Sequence, residues 1–342
     1  MNADFSQILQ THKKRYPLMQ IQDEVKLAYQ STYGAEHLAP DYQTVLTQLQ
    51  AEWTAVPPDF PVRLSEDIGN GFCRFPLNGN LNLQLAIPLL ARLFLLTAEQ
   101  KIGTRQDLEE KLQIFEQDPW LTEYRAQGCP PVHHSDAFRA AYQPHYRLLR
   151  RDFAGYFPLF LHIESLLQQK ERVVLSIDGR CGSGKSQLAN LLTSLFPANV
   201  FHSDDYYLPL ANRSADWTQT PGGNMDFQRF REEVLKPVFA GKTVSYRPYH
   251  CQSGSYRPVE TIPLRPLTII EGSYSQHPVL EATYDCRVFL TCEKQTQTER
   301  LRRREGDYYS MFESRWIPLE ESYLAQFPIC KDAFYIDTTD FF

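Results

Sequence analysis

The chain has 342 residues, enough for two apolar cores, and carries 35 Lys and Arg against 41 Asp and Glu for a net charge of -6. That balance lacks the basic footprint of a nucleic-acid-binding protein, and the most apolar run, Leu83 to Leu96, is too short for a membrane span and holds Pro88 and Arg92. Seven cysteines, at 73, 129, 181, 251, 286, 292 and 330, form no CxxC pair and are odd in number, which argues against a zinc cluster or a closed disulfide framework; the expectation is a soluble protein of the reducing cytoplasm, with neither nucleic-acid nor membrane partners.

Residues 1–167 read as a mainly helical domain. Apolar residues recur at helical spacing in Val25 to Tyr33, Tyr42 to Leu49, Leu83 to Leu96, Leu108 to Phe115 and Leu159 to Leu167. Turn residues at Pro57-Pro58, Gly69-Asn70-Gly71, Asn78-Gly79-Asn80 and Pro130-Pro131 separate them, with two short strands expected at Val62 to Leu64 and Phe72 to Phe75. Six histidines fall here, at 12, 37, 133, 134, 145 and 162, with polar clusters at Glu36-His37 and His133 to Asp136. They lack the spacing of a metal site, so surface or core roles are the plainer reading. Glu66, Asp67, Arg74, Arg139, Tyr142 and Arg147 could form a charged pocket or plain salt bridges. With aromatics such as Tyr29, Tyr33, Phe138 and Tyr146, the segment suggests a recognition or regulatory module, with a second enzyme as the alternative.

At Gln168 to Arg172 the pattern changes, and residues 168–342 read as a second domain. Val173 to Ile177 is a β-branched run suited to a buried parallel strand, and further strands are expected at Asn199 to His202, Val244 to Arg247, Leu267 to Ile270, Arg287 to Leu290 and Ala333 to Ile336. Helical spacing lies between them at Leu188, Leu191, Leu192, Leu195 and at Phe227, Phe230, Val234, Val238. Such alternation predicts an α/β domain, a mainly parallel sheet with helices on both faces and ligands at the carboxyl ends of its strands.

Between the first strand and the next helix stands Gly179-Arg180-Cys181-Gly182-Ser183-Gly184-Lys185-Ser186, a complete match to GxxxxGK[ST] in its proper context, followed by Gln187. Glycines let successive N–H groups turn toward phosphate oxygens, and the helix N-terminus adds partial positive charge. Lys185 would neutralise β- and γ-phosphates and Ser186 would offer its hydroxyl to Mg²⁺, so ATP and Mg²⁺ are the expected ligands of a P-loop NTPase.

A P-loop names a nucleotide and no reaction. Three further segments bear on the chemistry. Ser203-Asp204-Asp205-Tyr206-Tyr207 at a strand end offers Asp204 as a base for an acceptor hydroxyl, unless it is only a helix cap. Leu267 to Glu271 has the Walker B pattern, in which Glu271 would orient Mg²⁺ or its waters. Arg300 to Arg304 could close over ATP through Arg302 and Arg303, or be a solvated helix face. Phe312, Trp316, Leu319, Tyr323 and Phe327 read as a buried helix face with Arg315 and Glu320 at its exposed edge.

In order, these elements resemble the uridine kinase and phosphoribulokinase family, over residues 171–337: the P-loop, Asp204 and Tyr207, Pro221-Gly222-Gly223-Asn224-Met225-Asp226-Phe227, Pro248-Tyr249, Glu271-Gly272 and the arginines. Tyr246 to Cys251, Ile270 to Pro278 and Arg315 to Glu320 look like segments of bacterial uridine kinase-like proteins that carry a helical domain ahead of the kinase. The resemblance implies a five-stranded parallel sheet with a mobile lid, Asp204 as base, and Tyr207, Tyr249 and nearby His250 at the acceptor. Five residues after Tyr249, where nucleoside kinases of the family carry His, this chain has Gly254, and their Arg-Asp after the lid arginines reads Arg304-Glu305-Gly306-Asp307. The expectation is therefore an ATP-dependent kinase for a hydroxyl of a nucleoside, sugar or related metabolite. The alternative is an ATP-driven switch with residues 1–167 as effector.

Overall fold

The computed structural model describes residues 2–35, 41–57, 60–77, 81–100, 103–115, 118–251 and 253–341. Glu36-His37 and Asn78-Gly79-Asn80 lie outside them. The chain divides into two compact units, Met1–Leu161 with Phe341–Phe342, and His162–Asp340.

In unit 1, helices α1 (Asn2–Arg15), α2 (Ile21–Tyr33) and α3 (Tyr42–Ala55) lead into strands β1 (Glu66–Gly69) and β2 (Phe72–Pro76). Then come α4 (Leu83–Ala98), α5 (Arg105–Leu112), α6 (Pro119–Ala126), α7 (Asp136–Tyr142), β3 (Tyr146–Arg150) and α8 (Arg151–Gln169), whose residues from His162 on are counted with unit 2. Local chemistry fixes the helix starts: Asp41 accepts from Thr44 N at 2.9 Å, and Thr104 with Asp107 forms a capping box on α5. The sheet is antiparallel in the order β1-β2-β3. Val62 to Leu64, expected as a strand, is not one; Val62 and Leu64 are 77% and 80% exposed, and no strand pairs with them among the described residues. β2 pairs with β1 on one side and with β3 on the other, and the charged Arg147 and Arg150 of β3 hide its strand character in the sequence.

Unit 2 contains β4 (Val173–Gly179), α9 (Lys185–Leu195), β5 (Ala198–His202), a helix that runs α10 (Phe227–Phe230), a π-turn at Arg231–Leu235 and α11 (Lys236–Phe239), then β6 (Val244–Tyr246), β7 (Tyr249–His250), β8 (Ser255–Tyr256), β9 (Glu260–Ile262) and β10 (Leu267–Glu271). β11 (Cys286–Thr291), α12 (Lys294–Glu305), α13 (Tyr309–Met311), α14 (Ile317–Gln326) and β12 (Phe334–Asp337) complete it. The main sheet is wholly parallel, in the order β12-β11-β4-β10-β5. Every residue of β4 is buried, as a central strand covered on both faces requires. This is the α/β P-loop fold that the alternation of strands and helices predicts.

One strand falls elsewhere. Val244 to Tyr246 pairs antiparallel with β9, outside the main sheet, and β7 pairs with β8 in a second small ribbon. Three alternating residues cannot report which partner they will find. The ribbons join the core beside the α10 helix, where Tyr206, Phe230, Val234 and Tyr246 pack together.

Candidate active site

The P-loop leaves the carboxyl end of β4 and opens α9, with Gly184 as N-cap in the left-handed region. Gly179 has φ +137° and lies so close to the Leu290 carbonyl that a Cβ would collide with it; only glycine allows the loop to turn out between β4 and β11 there. Lys185 Nζ donates to the carbonyls of Gly179 at 2.7 Å and Arg180 at 3.1 Å. Ser186 and Gln187 are exposed in the first turn of α9, while Ser183 is buried with an unpartnered hydroxyl.

The neighbouring strands deliver carboxylates to this loop. β10 and β5 pair in register, Glu271 opposite His202, so the residues that follow both strands emerge side by side. Gly272, at φ +133°, lies against Ser203, where a Cβ would collide with the Ser203 hydroxyl. Glu271 is 5% exposed and accepts Ser186 Oγ at 3.1 Å and His202 Nδ1 at 2.6 Å. Burial works against its charge, but the His202 hydrogen bond and the Lys185 charge outweigh it and hold the carboxyl below its usual range. The His202 imidazole is raised in turn by that bond. A serine hydroxyl beside an ionised carboxylate is an oxygen pair of the kind Mg²⁺ takes alongside nucleotide phosphates, without a full protein cage. No group of three or more His, Cys, Asp or Glu side chains able to hold a metal occurs among the described residues.

Asp204 follows Ser203 in a short helical turn and accepts Tyr207 Oη–H at 2.9 Å. Its carboxyl is reached by solvent yet closely surrounded by protein; that desolvation, with the negative Glu271 nearby, raises its pKa. Tyr207 is also bridged to Met225 of the Pro221 to Phe227 segment, whose Asp226 N donates to the Tyr206 carbonyl at 2.7 Å. Tyr249 is buried and meets Tyr256 edge-on at 5.2 Å, and His250 pairs with Ser253 Oγ at 2.9 Å. Gly254 lies near the Tyr249 hydroxyl.

The arginines divide. Arg300 reaches the loop, donating to Gly182 O at 3.3 Å and to Thr338 Oγ1 at 3.0 Å. Arg302 and Arg303 are exposed, and Arg302 stands over the Tyr309 ring at 4.9 Å; neither hydrogen-bonds to the P-loop. Arg180 turns outward to a bidentate pair with Glu321 at 2.6 and 2.9 Å.

One carboxylate at the loop, Asp178, was not singled out by sequence reasoning, and the expectation for another, Glu320, is reversed. Asp178, 1% exposed at the end of β4, accepts Gly179 N at 2.7 Å, Gln276 N at 3.0 Å and Tyr323 Oη–H at 3.0 Å. Burial dominates over these donors and pushes its pKa up to about 6. Glu320, expected at the exposed edge of its helix, is 7% exposed and accepts Cys181 N at 2.8 Å and Ser273 Oγ at 2.7 Å. The π-turn at Phe312–Trp316 adds a residue to the turn ahead of α14, which shifts the face that a regular 3.6-residue spacing assigns. Tyr323 is core, as its spacing predicts, and Trp316 is half-buried at 6.0 Å from Trp217. An acid in an otherwise apolar central strand was the available signal for Asp178.

No protein-family model matches this chain, and no curated protein matches it in sequence. Among solved structures, a possible uridine kinase from Bacillus stearothermophilus is similar at 23% identity and a TM-score of 0.41, over 53% of this chain and 100% of that one. A protein put forward as a fructose transport system kinase from Silicibacter sp. TM1040 is similar at 21% identity and a TM-score of 0.40, over 47% and 93%. Deoxyadenosine kinase from M. mycoides with bound dATP follows at 12% identity and a TM-score of 0.24, over 48% and 90%. No helix among the described residues is long and apolar enough to cross a membrane.

Proposed function

We propose that unit 2 is an ATP-dependent kinase that transfers the γ-phosphate to a hydroxyl of a small metabolite. The observation that carries this reading is the register of β5 and β10, which sets Asp204 and Glu271 beside the P-loop. ATP would lie along the N–H groups of Gly182 to Ser186 with Lys185 on its β- and γ-phosphates. Ser186 and Glu271 would hold Mg²⁺, which would supply charge neutralisation to the phosphates. Asp204 takes the acceptor proton: a carboxyl raised in pKa is a better base, and Tyr207 fixes its orientation. Tyr249 and His250 line the acceptor side, and Arg302 and Arg303 supply charge to the transferred group when their helix closes. The acceptor is a nucleoside, sugar or related metabolite.

The test is ADP release from ATP in the presence of fractionated metabolite pools, with Asp204→Asn beside the wild type. A kinase loses roughly a hundredfold to ten-thousandfold in acceptor-dependent turnover and keeps its ATP affinity. Slow hydrolysis that ignores every pool and is unchanged by Asp204→Asn would refute the reading in favour of a nucleotide-driven switch.

A further inference from the structure

Helix α14 grips the start of the P-loop almost residue by residue. Tyr323 Oη–H donates to Asp178 at 3.0 Å, Arg180 donates to Glu321 at 2.6 and 2.9 Å, and Cys181 N donates to Glu320 Oε2 at 2.8 Å. The other Glu320 oxygen accepts Ser273 Oγ–H at 2.7 Å. Two of these ties stand clear of the phosphate cradle, since Asp178 is still within β4 and Arg180 turns outward. Glu320 differs. It is 7% exposed, and its partners flank the cradle: Cys181 N–H is the loop amide just ahead of Gly182 to Ser186, and Ser273 comes two residues after Glu271 at the end of β10.

A carboxylate on a P-loop amide is an oxyanion held where the loop is built to hold one. The loop attracts phosphate through its N–H groups and through Lys185, and Glu320 engages both. It takes the Cys181 N–H, and it leads the carboxylates that act on Lys185: burial works against that ammonium, but Glu320 and then Glu271 hold its pKa above the usual value. Lys185 meanwhile donates to the loop's own carbonyls, Gly179 at 2.7 Å and Arg180 at 3.1 Å. In a loop of this kind the lysine serves the β- and γ-phosphates and the Walker B carboxylate serves the metal that bridges them, so a carboxylate beside both stands at the γ end. A γ-phosphate arriving there meets a like charge where burial keeps water out, and the two repel strongly. ADP stops short of that point.

On the kinase reading, we propose that Glu320 is a specificity-determining latch at the γ-phosphate end of the P-loop, one that shapes the loop for a diphosphate and yields its Cys181 contact only to a nucleoside triphosphate. From α14 the chain runs back through the π-turn and α13 to α12, which carries Arg302 and Arg303. Release of Glu320 is thus the event by which the arginine helix registers a donor that still holds its γ-phosphate.

Calorimetry on the full chain compares the non-hydrolysable β,γ-imido analogue of ATP with ADP, each in Mg²⁺ buffer, for the wild type and for Glu320→Gln, which keeps an acceptor for Cys181 N–H without the charge. The substitution tightens the triphosphate about tenfold and ADP no more than about twofold, so the ratio of the two affinities rises. Ser273→Ala, which frees one end of the Glu320 carboxylate, moves the ratio the same way by about twofold to threefold, and it decides if Glu320→Gln does not fold. In the wild type the triphosphate analogue speeds amide exchange in α14 and ADP does not, because only the former detaches the helix from Cys181. A ratio that the deciding variant leaves unchanged or lowers, or α14 exchange that fails to distinguish the two nucleotides, overturns the latch alone. Wild-type protein that binds neither nucleotide overturns the kinase reading with it.

Discussion

Replacing Tyr323 by Phe removes one hydroxyl from a site where three donors hold a single buried carboxylate. Asp178 is 1% exposed, and its pKa of about 6 lies above the usual 3.8 because burial costs more than the donors return. A raised native pKa means that the folded unit binds its proton more tightly than the unfolded chain. Stability therefore falls as pH rises from about 4 to about 6, by about 3 kcal/mol at 1.36 kcal/mol per unit, and is level above that. The Tyr323 hydrogen bond supports the ionised form, so its loss is felt mostly above pH 6. A hydrogen bond to a buried charge is worth about 2 kcal/mol, which for a unit of this size lowers the melting temperature by about 4–8 °C. Scanning calorimetry of wild type and Tyr323→Phe at pH 8 and pH 5 measures both figures. The expected result is the full difference at pH 8 and less than half of it at pH 5. A difference under about 1 °C at pH 8, or one equal at both pH values, would refute this account of how Asp178 is held.

Gly272→Ala forces a Cβ onto the Ser203 hydroxyl at a backbone angle that alanine resists, so unit 2 should lose about 1–3 kcal/mol. Because Asp204 follows Ser203, acceptor-dependent turnover should also fall, roughly tenfold to a hundredfold, with ATP affinity less affected; stopped-assay kinetics beside nucleotide titration separate the two. In unit 1, the depressed pKa of Asp23 contributes stability that is complete above about pH 4 and fades as pH falls toward 2. The slope corresponds to about 2 kcal/mol, and Asp23→Asn should abolish it, as read from acid titration of the unit 1 amide exchange.

What the sequence made legible is what short stretches encode. The P-loop is contiguous, and its flanking strand and helix carry their own patterns, so the parallel sheet was readable from β4, β10, β11 and β12. Asp204 and Glu271 were readable as acids at strand ends, although their meeting depends on the β5–β10 register, which no local pattern states. Glu320 was misjudged because a π-turn displaces the helical face by one residue. His202 went unnoticed because its significance lies in a partner 69 residues away, and β3 because its arginines mask a strand whose pairing with β2 is long-range. In unit 1 a hydrogen-bonded chain from Arg74 through Gln30, Tyr146 and His134 to Asp23 joins residues from α2, β2, β3 and the segment before α7, so Arg74, His134 and Tyr146 appeared only separately and Asp23 and Gln30 not at all.

The ties that complete the P-loop come from late in the chain. Asp178 to Tyr323 spans 145 positions, Cys181 to Glu320 139, Arg180 to Glu321 141 and Ser183 to Thr338 155. During translation the glycine motif leaves the ribosome well over a hundred residues before the helix and strand that anchor it, and at ordinary synthesis rates that interval is about ten seconds or more. A nascent chain in that window carries the signature without the receptor. On the proposed kinase reading, nucleotide can therefore act as a folding ligand only once the segment from Ile317 has emerged, and fragments released before it should not be retained on immobilised ATP even where their central strands have formed.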